Sequence, residues 1–200
     1  QGKFSAVDLA SRLNELEPEF VDSMLIKHAP SGIRVLAAPF RPEYAENVDG
    51  EQFGLIIKYL RRMYAYVVID TASALTEITL SAIDTSDLVV LLTTQEIPAI
   101  KNARLFLDLA DALSISRRRI LFALNRFDKR IGITPEKISE NFKQELVAVI
   151  PFDDRVVVPS VNRGVPLMVS NKTHPVARAI YALSEVVRER IVELSIEEPA

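Results

Sequence analysis

Five short apolar runs are spaced along the chain and alternate with segments of helical periodicity. Each run has four or five residues rich in Val, Ile and Leu, which is typical of strands buried on both faces of a parallel sheet. The predicted strands are residues 33–37, 66–69, 88–92, 120–124 and 147–150.

The segments between these runs repeat apolar residues every three or four positions, as one face of an α-helix does. One stripe contains Leu55, Ile56, Tyr59, Leu60 and Met63, and another contains Ile100, Ala103, Leu105, Phe106, Leu109 and Leu113. Helices are predicted to start near Thr76, Glu96 and Thr134. Strands that alternate with helices predict right-handed βαβ units and an α/β three-layer sandwich with a mostly parallel sheet.

The last part of the chain predicts one long amphipathic helix. Its apolar stripe contains Val176, Ile180, Leu183, Val187, Ile191 and Leu194. An amphipathic membrane anchor is one interpretation, because such helices carry Lys and Arg opposite the apolar face. The opposite face here mixes Arg with Glu and has no Lys, which favours a stripe that faces the protein core.

The composition of the chain narrows the function classes. Its 200 residues are 48% hydrophobic, which excludes a disordered chain and predicts one domain over residues 1–200. The absence of Cys excludes disulfides, thiolate metal sites and thiol catalysis. None of the six glycines completes the pattern G-x-x-x-x-G-K-[ST], so these residues contain no complete phosphate-binding P-loop.

The charge of the chain argues against a nucleic-acid partner, because the net charge is −3 and phosphate binding needs a concentrated basic surface. Basic residues do cluster at residues 117–119 and again at Arg126, Lys129 and Arg130. A solvated loop and a solvated turn are the favoured interpretations. An anionic ligand, membrane headgroups and nucleic acid remain alternatives.

A carboxylate follows the second predicted strand, at Asp70, and two hydroxyl residues, Thr71 and Ser73, come directly after it. Ligands of open α/β sheets bind at the carboxyl edge of the strands, and one carboxylate there suits Mg²⁺ held with waters and substrate phosphates. This is a Walker-B-like pattern. An ordinary helix-cap arrangement explains the same residues, and this feature alone favours that interpretation.

Two further segments follow the later strands. Asn125 ends the fourth strand, and its amide offers the donor and the acceptor that an adenine edge requires, although a loop Asn that caps the strand explains it as well. After the fifth strand come Pro151, Phe152 and two Asp residues, and later the run 160–166, Ser-Val-Asn-Arg-Gly-Val-Pro. A capped helix accounts for this segment without any ligand.

Taken in order, these segments resemble the MinD/ParA family of P-loop ATPases and, within it, the CpaE/TadZ branch of pilus-assembly and localisation ATPases. The resemblance covers about residues 31–194. It rests on the motifs at residues 66–70, 87–94, 98–104, 124–126, 150–151 and 162–166.

The resemblance implies a switch protein that binds ATP and Mg²⁺ and forms a homodimer around them. It implies a cytoplasmic location, at the inner face of the membrane or at a cell pole, with peripheral membrane association and with pilus or secretion assembly proteins as partners. Asp70 would approach Mg²⁺ through water, and Thr71 to Ser73 would form the switch segment. Asn125 would contact adenine beside Arg126, and the turn from Pro151 to Asp153 would wall the base.

Two departures from the family pattern affect the expected activity. The switch segment lacks the Pro and Gly that are common there. The deviant Walker A loop, with its strand and helix, would precede residue 1, so the resemblance implies an N-terminally incomplete domain that does not hydrolyse ATP alone. A non-catalytic localisation scaffold of the same fold is the first alternative. A ParA-like DNA-partitioning ATPase, which would bind duplex DNA through residues 117–119, is the second.

Overall fold

The chain divides into two compact units, Gln1–Ser86 and Asp87–Ala200. The computed structural model describes residues 4–39, 41–45 and 47–197. The prediction of one domain over residues 1–200 stays a prediction, and each unit is described by itself.

The first unit is mostly helical. Its elements are α1 (Ala6–Ala10), a 3₁₀ turn (Leu13–Glu15), α2 (Pro18–Met24), β1 (Ile26–Lys27), β2 (Arg34–Val35), α3 (Pro42–Ala45), α4 (Gly50–Met63) and α5 (Glu77–Thr85). Leu9, Val21 and Ile56 are fully buried in its core. Asp49 and Gln52 form a capping box that satisfies the first amides of α4, so the predicted helix over residues 55–63 is confirmed and starts earlier.

The run 33–37 does not form the buried parallel strand that its composition predicts. Only Arg34 and Val35 lie in a strand, and β2 pairs with β1 in antiparallel register. The amide of His28 donates to the carbonyl of Ile33 (3.0 Å), and Gly32 has a φ of +75° that reverses the chain. The apolar run therefore closes a short hairpin instead of entering the sheet.

The run 66–69 belongs to no helix and no sheet among the described residues. Val67 and Ile69 pack against the core of the first unit, whereas Tyr66 and Val68 point to solvent and Val68 is 93% exposed. This alternation is that of a strand with one buried face. The run 66–69 is therefore not one of the described strands, although its side chains alternate as those of a half-buried strand do.

The second unit has the predicted α/β organisation. Its elements are β3 (Val89–Thr93), α6 (Ile97–Ala112), β4 (Ile120–Phe127), α7 (Pro135–Phe142), β5 (Leu146–Pro151), α8 (Asp154–Asn162), α9 (Leu167–Ser170) and α10 (Pro175–Glu197). The strands form a parallel sheet in the order β3-β4-β5. The predicted strands 88–92, 120–124 and 147–150 are therefore confirmed.

Helices pack on both faces of this sheet. Phe122 and Val149 pack with α6 and α7, while Ile150 packs with Val176 of α10. Because neighbouring residues of a strand point to opposite faces, Val149 and Ile150 place these helices on opposite sides. The second unit is therefore a three-layer sandwich, and the predicted α/β fold with a parallel sheet is confirmed.

The long C-terminal helix packs most closely at its start. Val176 and Ala177 are buried, and Leu183 contacts the same cluster. Ile180 is exposed, and the later members of the predicted stripe are half-buried, so the core-facing stripe holds only in part. Among the described residues, no helix combines the length and the apolar character that a bilayer crossing requires.

Candidate functional site

A surface cleft lies at the carboxyl edge of the sheet in the second unit. It has a volume of about 310 Å³ and is lined by Phe127, Asp128, Lys129, Arg130, Pro151 and Phe152. These residues form the ends of β4 and β5 and the loops that follow them. The carboxyl edge of a parallel sheet is where α/β folds bind their ligands, so this cleft is the candidate site.

A β-bulge shapes the end of β4. Leu124 pairs with Val149 and Phe127 pairs with Pro151, so two residues of β4 oppose one residue of β5. Arg126 within the bulge has a φ of +55°, in the left-handed region that non-glycine residues rarely adopt. Bulges re-aim side chains next to active sites, and this bulge brings Phe127 to the cleft wall.

Asn125 and Arg126, the predicted adenine-contact residues, lie in the bulge and not in the cleft lining. The side-chain oxygen of Asn125 accepts a hydrogen bond from the amide of Arg126 (2.9 Å). The Arg126 guanidinium lies over the Phe152 ring, 4.7 Å from its centroid, and its Nη2 is 3.2 Å from the Asp154 carboxylate. Arg126 therefore contacts the aromatic ring of Phe152, which lines the cleft.

Of the predicted base-wall residues, Pro151 lines the cleft and Asp153 does not. Asp153 caps α8, since its Oδ1 accepts from the amide of Arg155 (3.1 Å). Its Oδ2 lies 3.3 Å from Nε2 of His174, and Nδ1 of that ring accepts from the amide of Val176 (3.3 Å). Asp153 thus joins the loop after β5 to the start of α10.

Sequence reasoning missed Asp128, which lines the cleft in the loop after β4. Nε of Arg130 is 2.9 Å from both carboxylate oxygens, and Nη2 is 2.5 Å from Oδ2. The side-chain hydrogen bond from Arg130 and the bond from its backbone amide lower the pKa of Asp128 to about 2. The carboxylate is therefore ionised and paired, and its position three residues after Asn125 was the available signal.

Gln95 is the second residue that sequence reasoning missed. It follows β3, is 5% exposed, and makes two hydrogen bonds to the loop after β4. Its Oε1 accepts from the amide of Asp128 (2.7 Å), and its Nε2 donates to the carbonyl of Ile133 (2.6 Å). One buried amide group therefore fastens the cleft loop to the sheet. A lone Gln after a strand carries no pattern that would have singled it out.

Asp70, Thr71 and Ser73 belong to the first unit, and all three side chains are exposed. The chain becomes anchored just after them, because the Thr79 hydroxyl donates to the carbonyl of Ala74 (2.9 Å) and Thr76 caps α5. The start of α5 near Thr76 is thereby confirmed. The roles of the three residues in a switch segment stay predictions.

The described residues offer few donor groups for the Mg²⁺ that the family resemblance implies. Among the described residues, no group of three or more His, Cys, Asp or Glu side chains is arranged to hold a metal ion. Asp70 offers a single exposed carboxylate. This donor set fits Mg²⁺ only as an ion that arrives with nucleotide phosphates, which is how proteins commonly hold it.

Comparison with curated proteins finds septum site-determining MinD proteins. The chain is 26% identical to MinD of Thermotoga maritima over 133 residues, which are 64% of this chain and 49% of that protein. It is 24% identical to MinD of Synechocystis over 159 residues, which are 76% of this chain and 58% of that protein. The chain therefore spans about half the length of these relatives. No family model matches the chain.

Comparison with solved structures finds the same fold. A ParA family ATPase from Chlorobium tepidum matches with a TM-score of 0.83 and 20% identity, over 92% of this chain and 77% of that chain. The MinC:MinD complex of Aquifex aeolicus matches with a TM-score of 0.76 and 19% identity, over 94% of this chain and 74% of that chain. MinD of Pyrococcus horikoshii complexed with Mg-ADP matches with a TM-score of 0.76 and 22% identity, over 92% of this chain and 73% of that chain.

These comparisons agree with the architecture built from the residues. The alternating strands and helices of the second unit and its parallel sheet are those expected of an open α/β protein. The chain has the fold of the MinD/ParA-type P-loop ATPases and is similar in sequence to MinD.

Proposed function

We propose that the chain is the nucleotide-binding part of a MinD/ParA-type ATP switch protein of the CpaE/TadZ branch, which positions or assembles pilus or secretion machinery. The observation that carries this proposal is the cleft at the carboxyl edge of the sheet, in a chain with the MinD/ParA fold. The ligand class is a purine nucleotide, with its base in the cleft.

The cleft suits a planar base. Phe127 and Phe152 supply aromatic surface, and Pro151 supplies a rigid apolar wall. Its volume of about 310 Å³ lies at the lower end of small-molecule sites, which range over roughly 300–1,000 Å³. A volume of that size is better matched to a base than to a whole nucleoside triphosphate. The phosphates would accordingly extend out of the cleft.

The phosphate side of the site is proposed to need further protein. Among the described strands, β3 is at one edge of the sheet, where its backbone pairs with β4 alone. The exposed side chains of Val90 (40%) and Leu92 (52%) also leave one face of this edge strand uncovered. An apolar edge strand of this kind is a position where another strand can pair. We propose that a strand with a phosphate-binding loop belongs there, and that residues 1–200 alone do not hydrolyse ATP.

Asp70 is proposed to approach a nucleotide-borne Mg²⁺ through water, with Thr71 and Ser73 in the segment that responds to the nucleotide. Their exposure supports this role, because the segment is anchored only from Ala74 onward. We further propose a homodimer that acts in the cytoplasm, at the inner face of the membrane or a cell pole. The Aquifex relative, seen with MinC, is a precedent for partner binding on this fold.

Two other functions remain as competitors. A non-catalytic localisation scaffold is favoured by the lack of Pro and Gly in the switch segment and by the absence of a P-loop from these residues. A DNA-partitioning ATPase would use Arg117 to Arg119. Arg117, however, already makes two 2.6 Å bonds to the Asp111 carboxylate, which leaves less positive charge for phosphate contacts.

Calorimetric titration with Mg-ATP tests the proposal. Saturable binding is expected, and Phe152→Ala should weaken it because stacking on an aromatic ring stabilises a bound base by about 1–3 kcal/mol. Val169→Ala is the matched control, since Val169 is an exposed apolar residue outside the cleft. Absence of saturable heat would favour the scaffold, and salt-sensitive binding of duplex DNA would favour the partitioning ATPase.

A further inference from the structure

A carboxylate in the lining of a base-binding cleft has consequences for which base it accepts. Guanine presents two adjacent donors, its ring N1–H and its exocyclic amino group, which match the two oxygens of a carboxylate. Adenine presents one amino donor beside a ring acceptor, and a carboxylate repels the acceptor. An uncovered Asp128 would therefore favour guanine.

Asp128 is not uncovered, because Arg130 occupies both of its oxygens. Nε of Arg130 lies 2.9 Å from Oδ1 and Oδ2, Nη2 lies 2.5 Å from Oδ2, and the Arg130 amide donates to Oδ1 (2.9 Å). The guanidinium N–H groups bond to the same carboxylate oxygens that would have to accept hydrogen bonds from guanine. The depressed pKa of Asp128 is consistent with this pairing.

The backbone of Asp128 is fixed independently of Arg130. Its amide donates to the buried Gln95 side chain (2.7 Å), which holds the loop on the sheet. The Arg130 side chain, in contrast, is 78% exposed. Removal of the guanidinium should therefore free Oδ2 and one acceptor position of Oδ1, while the backbone amide of residue 130 keeps the carboxylate in place.

We propose that Arg130 determines the base preference of the cleft by covering the Asp128 carboxylate, which excludes guanine and leaves adenine favoured. The inference rests on the proposed function, because it assumes that the base lies in this cleft. Specificity would then come from a covered group that would otherwise select the wrong ligand. Arg130 acts through Asp128 and is a specificity-determining residue.

The test compares AMP and GMP binding to ¹⁵N-labelled chain by amide shifts of residues 127–130. The wild type should prefer AMP. Arg130→Ala should shift the AMP-to-GMP affinity ratio toward GMP by about tenfold or more, the scale of discrimination by one bidentate contact. The double variant Arg130→Ala/Asp128→Asn should lose that gain.

Lys129→Ala is the matched control, since Lys129 also lines the cleft and its loss removes the same charge without uncovering Asp128. It should weaken both nucleotides alike and leave their ratio unchanged. An unchanged ratio in Arg130→Ala, or an equal shift in Lys129→Ala, would overturn the inference while the proposed function stands. Absence of purine binding in every variant would overturn both.

Discussion

At the scale of single residues, the cleft depends on side chains that hold other side chains in place. Gln95 holds the backbone of Asp128, Arg130 holds its carboxylate, and Arg126 holds the Phe152 ring. Asp153, in the loop after β5, pairs with His174, which directly precedes α10. These contacts are present without any ligand, which reduces the ordering cost of binding.

The ionisation of Asp128 provides a first prediction. Its pKa of about 2 lies below the roughly 3.9 of a free Asp, so the folded protein binds fewer protons there than the unfolded chain. The pairing thus stabilises the fold above about pH 4, and this contribution is lost as the pH falls toward 2. In a carboxyl-carbon NMR titration, Arg130→Ala should raise the midpoint of Asp128 toward its ordinary value. An unchanged midpoint would show that Arg130 does not hold the carboxylate.

The buried amide of Gln95 provides a second prediction. Gln95→Leu should destabilise the second unit by about 1–3 kcal/mol, because the Asp128 amide and the Ile133 carbonyl lose their partner. Urea unfolding followed by circular dichroism measures the change. Lys101→Leu, on the exposed face of α6, is the control and should stay within about 0.5 kcal/mol. Equal effects of the two substitutions would count against the role of Gln95.

The strand pattern predicts which edge of the sheet carries the cleft, whereas the residues that line it depend on local geometry. Pro151 lines the cleft because it ends an apolar strand at this edge, and its contact with a base stays a prediction. Asn125 and Arg126, whose contact with adenine stays a prediction, lie in a bulge because β4 carries an extra residue there. Gln95 could not be identified, because its importance depends on contacts 33 and 38 residues away.

At the scale of elements, α4 and α5 pack closely because glycines of α4 leave room. The position of a Cβ on Gly54 lies 3.0 Å from the Ser81 hydroxyl, and the Ser81 hydroxyl donates to the carbonyl of Gly50 (2.6 Å). Helices that approach this closely tolerate little added volume. The first unit therefore depends on a small residue at this crossing.

Gly54→Leu should destabilise the first unit by about 1–3 kcal/mol, since the added side chain forces α4 and α5 apart. Thermal unfolding measures the effect. Gly132→Ala is the matched control, because nothing lies within 4 Å of a Cβ at that position. A Gly54→Leu variant as stable as the control would contradict the close packing of these helices.

Elements whose partners lie nearby in the chain were predicted well. Runs 88–92, 120–124 and 147–150 alternate with helices and pair with one another. Their apolar composition was therefore enough to predict them as strands. Runs 33–37 and 66–69 have the same composition, but the first turns back into a hairpin at Gly32 and the second has no described pairing partner. Apolar composition predicts burial, whereas strand pairing depends on neighbours that composition does not identify.

At the scale of the whole molecule, the fold is supported by comparison with solved structures, and the proposed function is supported by the cleft. The fold agrees with MinD and ParA structures across more than nine-tenths of the chain. Sequence identity with the MinD proteins of Thermotoga maritima and Synechocystis is 26% and 24%, over about half of their length. The activity and the partners of this chain are therefore proposals, and the cleft is the observation that supports them. The central claim is that an adenine nucleotide binds at the ends of β4 and β5.

The most direct measurement of that claim is an amide NMR spectrum of the chain recorded with increasing Mg-ADP. Saturable shifts are expected at residues 127–130 and at Phe152, which line the cleft. The hairpin of β1 and β2, in the first unit, is the internal reference and should stay unchanged. Shifts that fail to saturate, or that avoid the cleft residues, would contradict nucleotide binding at this site.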